Sequence, residues 1–101
     1  MIVRIWRTGI DPARAAEYDR FAGERSLAMF RAQRGFRGVL FTTAADDRRA
    51  VISFWEDETA VERLDRSETY RDAAGALGST GILRGEQTVE VLRVSGGDMP
   101  T

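Results

Sequence analysis

The chain contains no histidine, no cysteine, no lysine and no asparagine, and all 15 of its basic residues are arginine. Each absence closes a branch of chemistry. Without cysteine there is no disulfide framework and no thiolate nucleophile. Without histidine or cysteine, zinc and haem lose their usual ligands. Lysine-based Schiff chemistry is excluded, and a serine triad would lack its base. A strong codon bias is a sufficient explanation for the lysine and asparagine gaps, so they carry less weight. Gly9 and the series Gly75, Gly78, Gly81 do not match the spacing of a phosphate-cradling loop. The expectation is therefore no cofactor and no metal. Any chemistry falls to Tyr, Arg, Ser, Thr, Trp or carboxylates, or largely to the substrate.

Charge and hydropathy exclude further classes. The formal net charge is −1, without the basic excess that non-specific phosphate binding needs, so no nucleic-acid partner is expected. No apolar run approaches the ~20 residues that span a bilayer, so no membrane span is expected. Met1 leads straight into a strand-like run, with no basic segment and apolar core before it. No signal peptide is expected, and the cytoplasm is the default location. With 101 residues, one core is expected, residues 1–95 forming the domain and 96–101 a disordered or frayed tail.

What is present reads as an alternation of strands and helices. Ile2 to Thr8 is rich in β-branched and aromatic residues and reads as a strand ended by Gly9. Asp11-Pro12 is an N-cap signature, opening a helix to about Gln33. Ala15, Tyr18, Phe21, Ala22, Arg25, Ala28, Met29 and Ala32 form its inward stripe, with Leu27 and Phe30 off it. Gly23 marks either a kink that swings the second half round, or these two residues meet another surface. Val39–Ala44 and Ala50–Trp55 read as a hairpin around Ala45-Asp46-Asp47-Arg48. Asp57 or Thr59 caps a second helical region, which Ser67 restarts with Tyr70, Ala73, Ala74 and Leu77 inward. Gly75, Gly78 and Gly81 should end it, and Gln87–Val94 is the last strand.

The order is β-α-β-β-α-β, the split arrangement of an α+β ferredoxin-like fold with a four-stranded antiparallel sheet. Right-handed crossovers place the first and third strands at the centre, with both helices on one face. Yet these strands do not alternate apolar with polar. Ile2 and Trp6 oppose Val3 and Ile5; Val51 and Trp55 oppose Ile52 and Phe54. A sheet apolar on both faces needs a second cover, and a second copy is the simplest one, so a homodimer is expected.

Four segments carry a family resemblance: Gln33-Arg34-Gly35-Phe36-Arg37-Gly38, Ile52-Ser53-Phe54-Trp55-Glu56-Asp57, Ser67-Glu68-Thr69-Tyr70-Arg71, and Gly85-Glu86-Gln87-Thr88-Val89-Glu90-Val91. In this order and spacing the chain resembles the antibiotic biosynthesis monooxygenase family over about residues 2–95. The resemblance implies a dimeric α/β barrel, with a pocket between sheet and helices in each protomer. It also implies cofactor-independent monooxygenation of an aromatic polyketide, quinol or anthrone-like molecule with O2. Such chemistry suits a chain without histidine, cysteine or lysine, because an electron-rich anion can reduce oxygen itself. By the same resemblance, Tyr70 and Arg84 match pocket residues of the tailoring members and are the candidate catalytic pair. The sequence departs at Leu64, where those enzymes carry Trp, and at Ala60, where they carry Asn. The haem-degrading branch carries a histidine where this chain has Arg71-Asp72-Ala73-Ala74.

The candidate pocket joins Tyr70 and Arg84 with Trp6, Phe21, Ser53, Trp55 and Leu64 as substrate-binding residues for a small aromatic or apolar ligand. Plainer roles stand beside these. Tyr70 can pack the helix on the sheet, Arg84 can be a surface cation, and Trp6 and Trp55 can be core. Ser53 needs a partner if buried, and a backbone group would serve. Glu56-Asp57-Glu58 fits a first helical turn, Asp46-Asp47 a hairpin turn, and Arg31, Arg34, Arg37 and Arg48-Arg49 a solvated rim. The alternative function is a non-catalytic small-molecule binder, or an isomerase or cyclase on the same fold.

Overall fold

The structure is a computed structural model that describes residues 1–99. Strand β1 (Ile2–Ile10) leads into a long helical segment, then β2 (Phe36–Thr43) and β3 (Arg49–Trp55) form the hairpin. Helices α3 (Glu58–Arg66) and α4 (Glu68–Ser79) precede the last strand, β4 (Leu83–Arg93). The four strands pair in the order β2-β3-β1-β4, all antiparallel, as the split βαβ pattern requires.

The long helical segment is not uniform. A 3-10 turn (Pro12–Arg14) starts it, with Asp11 Oδ1 accepting from Ala13 N at 3.1 Å. Helix α1 (Ala15–Phe21) passes through a π-helical turn, Ala22–Ser26, into α2 (Leu27–Arg31). A π turn inserts about one residue, which rotates everything after it by roughly 100°. This explains Phe30. Phe30 is turned into the core, while Ala28 and Ala32, placed inward by an uninterrupted 3.6-residue stripe, are exposed. Gly23 sits inside the π turn.

Other differences concern glycine. Gly9 does not end β1; it lies at a bulge opposite Arg84, where a Cβ would come within 2.7 Å of the Arg84 carbonyl. Gly75 and Gly78 lie within α4, and only Gly81, at φ +75°, ends the helical run. Strand β4 begins at Leu83 rather than Gln87, so it reaches further along β1 than expected. Asp57 caps α3 through Ala60 N at 2.9 Å, and Ser67 caps α4 through Tyr70 N at 3.2 Å. Residues 94–99 belong to no element, and the last two residues of the expected tail lie outside the described ones.

The two sheet faces separate cleanly. Ile2, Arg4, Trp6 and Thr8 of β1, with Val51, Ser53 and Trp55 of β3, face the helices. One buried cluster gathers Phe30, Trp55, Ala60, Val61 and Leu64; a second gathers Ile10, Tyr18, Leu77 and Ile82. Trp6 packs against both. On the opposite face Ile5 pairs with Ile52 and Val3 with Phe54, flanked by Leu40 and Leu92. Leu40 and Leu92 are exposed, and nothing in the chain's helices covers this side.

Candidate functional site

A cleft opens between the sheet and the helices where the two clusters meet. Trp6, Val51 and Phe41 stand in one row across β1, β3 and β2 and form its floor. Tyr18, Phe21, Ala22, Ser26 and Met29 make one wall; Tyr70, Ala73, Ala74 and Leu77 of α4 make the other. The opening has a sequence cause. Ala22, Ala73 and Ala74 are too small to meet across the gap, and the π turn shifts the wall locally. Its volume is about 90 Å3. That is less than the ~150 Å3 apolar cavity that admits benzene, so a ring bound here must reach out through the mouth or displace a side chain.

Polar groups converge at one point. Arg4, on the inward face of β1 and 5% exposed, donates from Nη2 to Tyr70 Oη at 2.9 Å. Its guanidinium also lies over the Tyr70 ring, 5.3 Å from the centroid. Because Tyr70 Oη accepts this bond, its own proton is left to point elsewhere, and the cleft adjoins it. Tyr18 lines the same cleft, its ring under the guanidinium of Arg49 at 5.7 Å. Burial pushes the Tyr18 hydroxyl up to about 12, Arg49 opposing that rise and Asp19 adding to it.

Trp6, Phe21 and Tyr70 line the cleft. The other sequence-derived site residues do not. The expected convergence of Arg84 with Tyr70 is corrected: Arg84 is 54% exposed, with Nη2 3.2 Å from Asp11 Oδ2 and Nη1 donating to the Gly81 and Leu83 carbonyls. The early start of β4 and the bulge at Gly9 set it among these partners. Trp55 and Leu64, both 0% exposed, fill the packed end of the core instead of the cleft. Ser53 is also withdrawn from it: Ser53 Oγ accepts from Trp55 Nε1 at 2.8 Å and donates to the Arg4 carbonyl at 3.3 Å. Arg49, read as part of a solvated rim, is buried and bonded to Asp19 at 3.2 Å.

Arg4 was missed by sequence reasoning, although a signal existed. In a strand that reads Ile2, Arg4, Trp6, Thr8 along its inward face, a lone charge among large side chains is a buried polar residue that requires an explanation. Among the described residues no cluster of three or more carboxylates is arranged to hold a metal ion, and no helix is long and apolar enough to cross a membrane.

The architecture is that of the ferredoxin-like α+β domains. Within that class the chain superposes on a point variant of SnoaB from Streptomyces nogalater, a cofactor-independent oxygenase. The TM-score is 0.79 with 19% identity, over 95% of this chain and 94% of that one. A candidate antibiotic biosynthesis monooxygenase from Deinococcus radiodurans gives a TM-score of 0.80 at 12% identity, over 100% of this chain and 99% of that one. A counterpart from Caulobacter crescentus gives 0.80 at 16% identity, over 94% and 90%. The resemblance read from the sequence is thus matched in three dimensions at the level of fold. No family model matches the sequence, and no curated protein matches it.

Proposed function

We propose that the chain is a cofactor-independent monooxygenase-like protein that oxidises a small aromatic substrate of the quinol or anthrone type with O2. The observation that carries the reading is the cleft itself, apolar on its floor and walls, with the Tyr70 hydroxyl at its polar end. An apolar site favours direct electron transfer from an electron-rich anion to oxygen, because little water remains to solvate and quench the reacting pair. The balance is simple: one oxygen atom forms a bond to a ring carbon, that carbon and a ring hydroxyl lose their hydrogens, and the second oxygen leaves as water. Tyr70 donates to the substrate oxygen as its charge changes. Of the substrates in this class, the cleft's volume favours single-ring quinols over three-ring anthrones.

Oxygen uptake with a panel of quinols and anthrones tests the reading. Consumption of about one O2 per product, greatest with single-ring members, supports it. A thermal shift that follows ligand concentration with no oxygen uptake would identify a binder instead.

The assembly proposed with this function is a homodimer joined through the sheet face opposite the helices. Its support is the unbroken apolar strip formed by Leu40, Ile52, Ile5, Val3 and Phe54. Light scattering should give twice the monomer mass at micromolar concentration. Ile52→Asp, which would bury an unpaired charge in that contact, should give a folded monomer. A monodisperse wild-type monomer would refute the assembly.

A further inference from the structure

Two arginines lie buried on the inward sheet face, Arg4 and Arg49, each 5% exposed, and their surroundings differ. Burying a guanidinium is costly unless partners replace its water. Arg49 has them: Nε and Nη2 donate to Asp19 at 3.2 and 3.5 Å, and Nη1 donates to the Asp47 carbonyl at 2.6 Å. Arg4 does not. Its Nη2 donates to Tyr70 Oη and lies 3.8 Å from Oδ1 of Asp65, whose side chain is 59% exposed. That carboxylate is beyond hydrogen-bond range and faces water, so it compensates the charge weakly. No buried side-chain nitrogen or oxygen among the described residues lacks a partner. The remaining Arg4 N–H groups therefore open on space, and Arg4 lines the cleft.

We propose that Arg4 is the anion-holding group of this cleft, and that it selects ligands with an acidic ring hydroxyl, bound as the phenolate or enolate against Arg4 and Tyr70. This rests on the reading of the cleft as a small-aromatic site and adds what that site recognises. A guanidinium within about 4 Å of a phenolic oxygen, in surroundings poor in water, lowers the pKa of that oxygen by about 1–3 units. Tyr70, already oriented by Arg4, completes the pair of donors. Arg4 then prepares the electron-rich anion before oxygen arrives. The role belongs to a fixed cation on a central strand, and no base is needed within the chain.

The test uses two probes of similar size, 4-nitrophenol, whose phenolate is coloured and whose pKa lies near neutrality, and neutral nitrobenzene. Binding is followed by calorimetry, and the bound phenolate fraction by absorbance across pH. Wild type should lower the pKa of bound 4-nitrophenol by at least about one unit, so that phenolate binds about tenfold or more tightly than phenol. Arg4→Met should bind both probes in neutral form and lose the pKa drop. Arg4→Lys, which keeps a charge without the planar fork, should keep part of it. Tyr70→Phe should keep most of it. A full pKa drop in folded Arg4→Met overturns the role of Arg4 and leaves the cleft reading intact. If Arg4→Met does not fold, wild type alone decides: nitrobenzene binding as tightly as nitrophenolate overturns anion selection. Failure of wild type to bind either probe overturns the small-aromatic site as well.

Discussion

Two regions beneath the same sheet face are built on opposite terms. At one end Phe30, Phe36, Trp55 and Leu64 fill the space between β3 and the helices, with ring centroids 5.7 to 6.2 Å apart. Its polar atoms are consumed internally, Trp55 Nε1 by Ser53 and Ser53 by the Arg4 carbonyl. At the other end alanines face each other across a gap, a π turn interrupts the helix, and Arg4 and Tyr70 turn polar groups toward open space. Trp6 belongs to both. The first region provides stability; the second forgoes packing and gains a cleft. The lesson is that the large aromatic residues of a small domain need not mark its open cleft. Here small residues beside one Tyr mark the cleft better.

The comparison is broken most severely at the packed end. Trp55→Ala should destabilise the chain by about 3–5 kcal/mol, since a fully enclosed ring leaves a cavity that its neighbours cannot fill. Denaturant unfolding measures it; a loss below about 1 kcal/mol would mean that this end is not the tighter one.

Tyr18 sharpens the boundary between the two regions. Its hydroxyl is held up from 10.0 to about 12, chiefly by burial, so on raising pH the unfolded chain loses this proton first. The stability that follows is fully present below pH 10.0 and is lost as pH rises toward about 12. Wild type should lose roughly 2–3 kcal/mol over that window that Tyr18→Phe does not lose. Unfolding curves of the two proteins at matched pH check this, and parallel losses would contradict it.

The smallest stability effect is expected at the cleft mouth. Ala74 lines the cleft yet is exposed, and Ala→Leu retains a strong helix former. Ala74→Leu should change stability by no more than about 0.5 kcal/mol while closing the mouth to aromatic ligands. Unchanged ligand binding in this variant would place the entrance elsewhere.

Much of the fold was legible because its signals are local or periodic. Asp11-Pro12, Asp57 and Ser67 mark helix starts through caps that need only their own neighbours. The β-α-β-β-α-β order with right-handed crossovers placed β1 and β3 at the sheet centre, as found. The misread features depend on a register shift within the helix or on distant partners. Phe30 is inward only because the π turn shifts the register before it. Gly9 looks like a strand end until β4 is seen to pass close at Arg84. Arg84 is adjacent to the right strand but its side chain is bound to Asp11, 73 residues away. Arg4 was visible as a lone charge on the inward face of β1, but its partner was not, because Tyr70 is brought against it across 66 residues.

Oxygen chemistry at the Tyr70 cleft is the proposal on which the other roles depend. The direct measurement is the rate of oxygen uptake by wild type and Tyr70→Phe on the best single-ring quinol of the panel. Removing the hydroxyl takes away the acceptor of Arg4 and the proposed donor to the substrate, at a stability cost of about 1–2 kcal/mol. Tyr70→Phe should fold and its turnover should fall by on the order of 10²-fold. Full turnover by folded Tyr70→Phe on that substrate would contradict it and leave Tyr70 a packing residue.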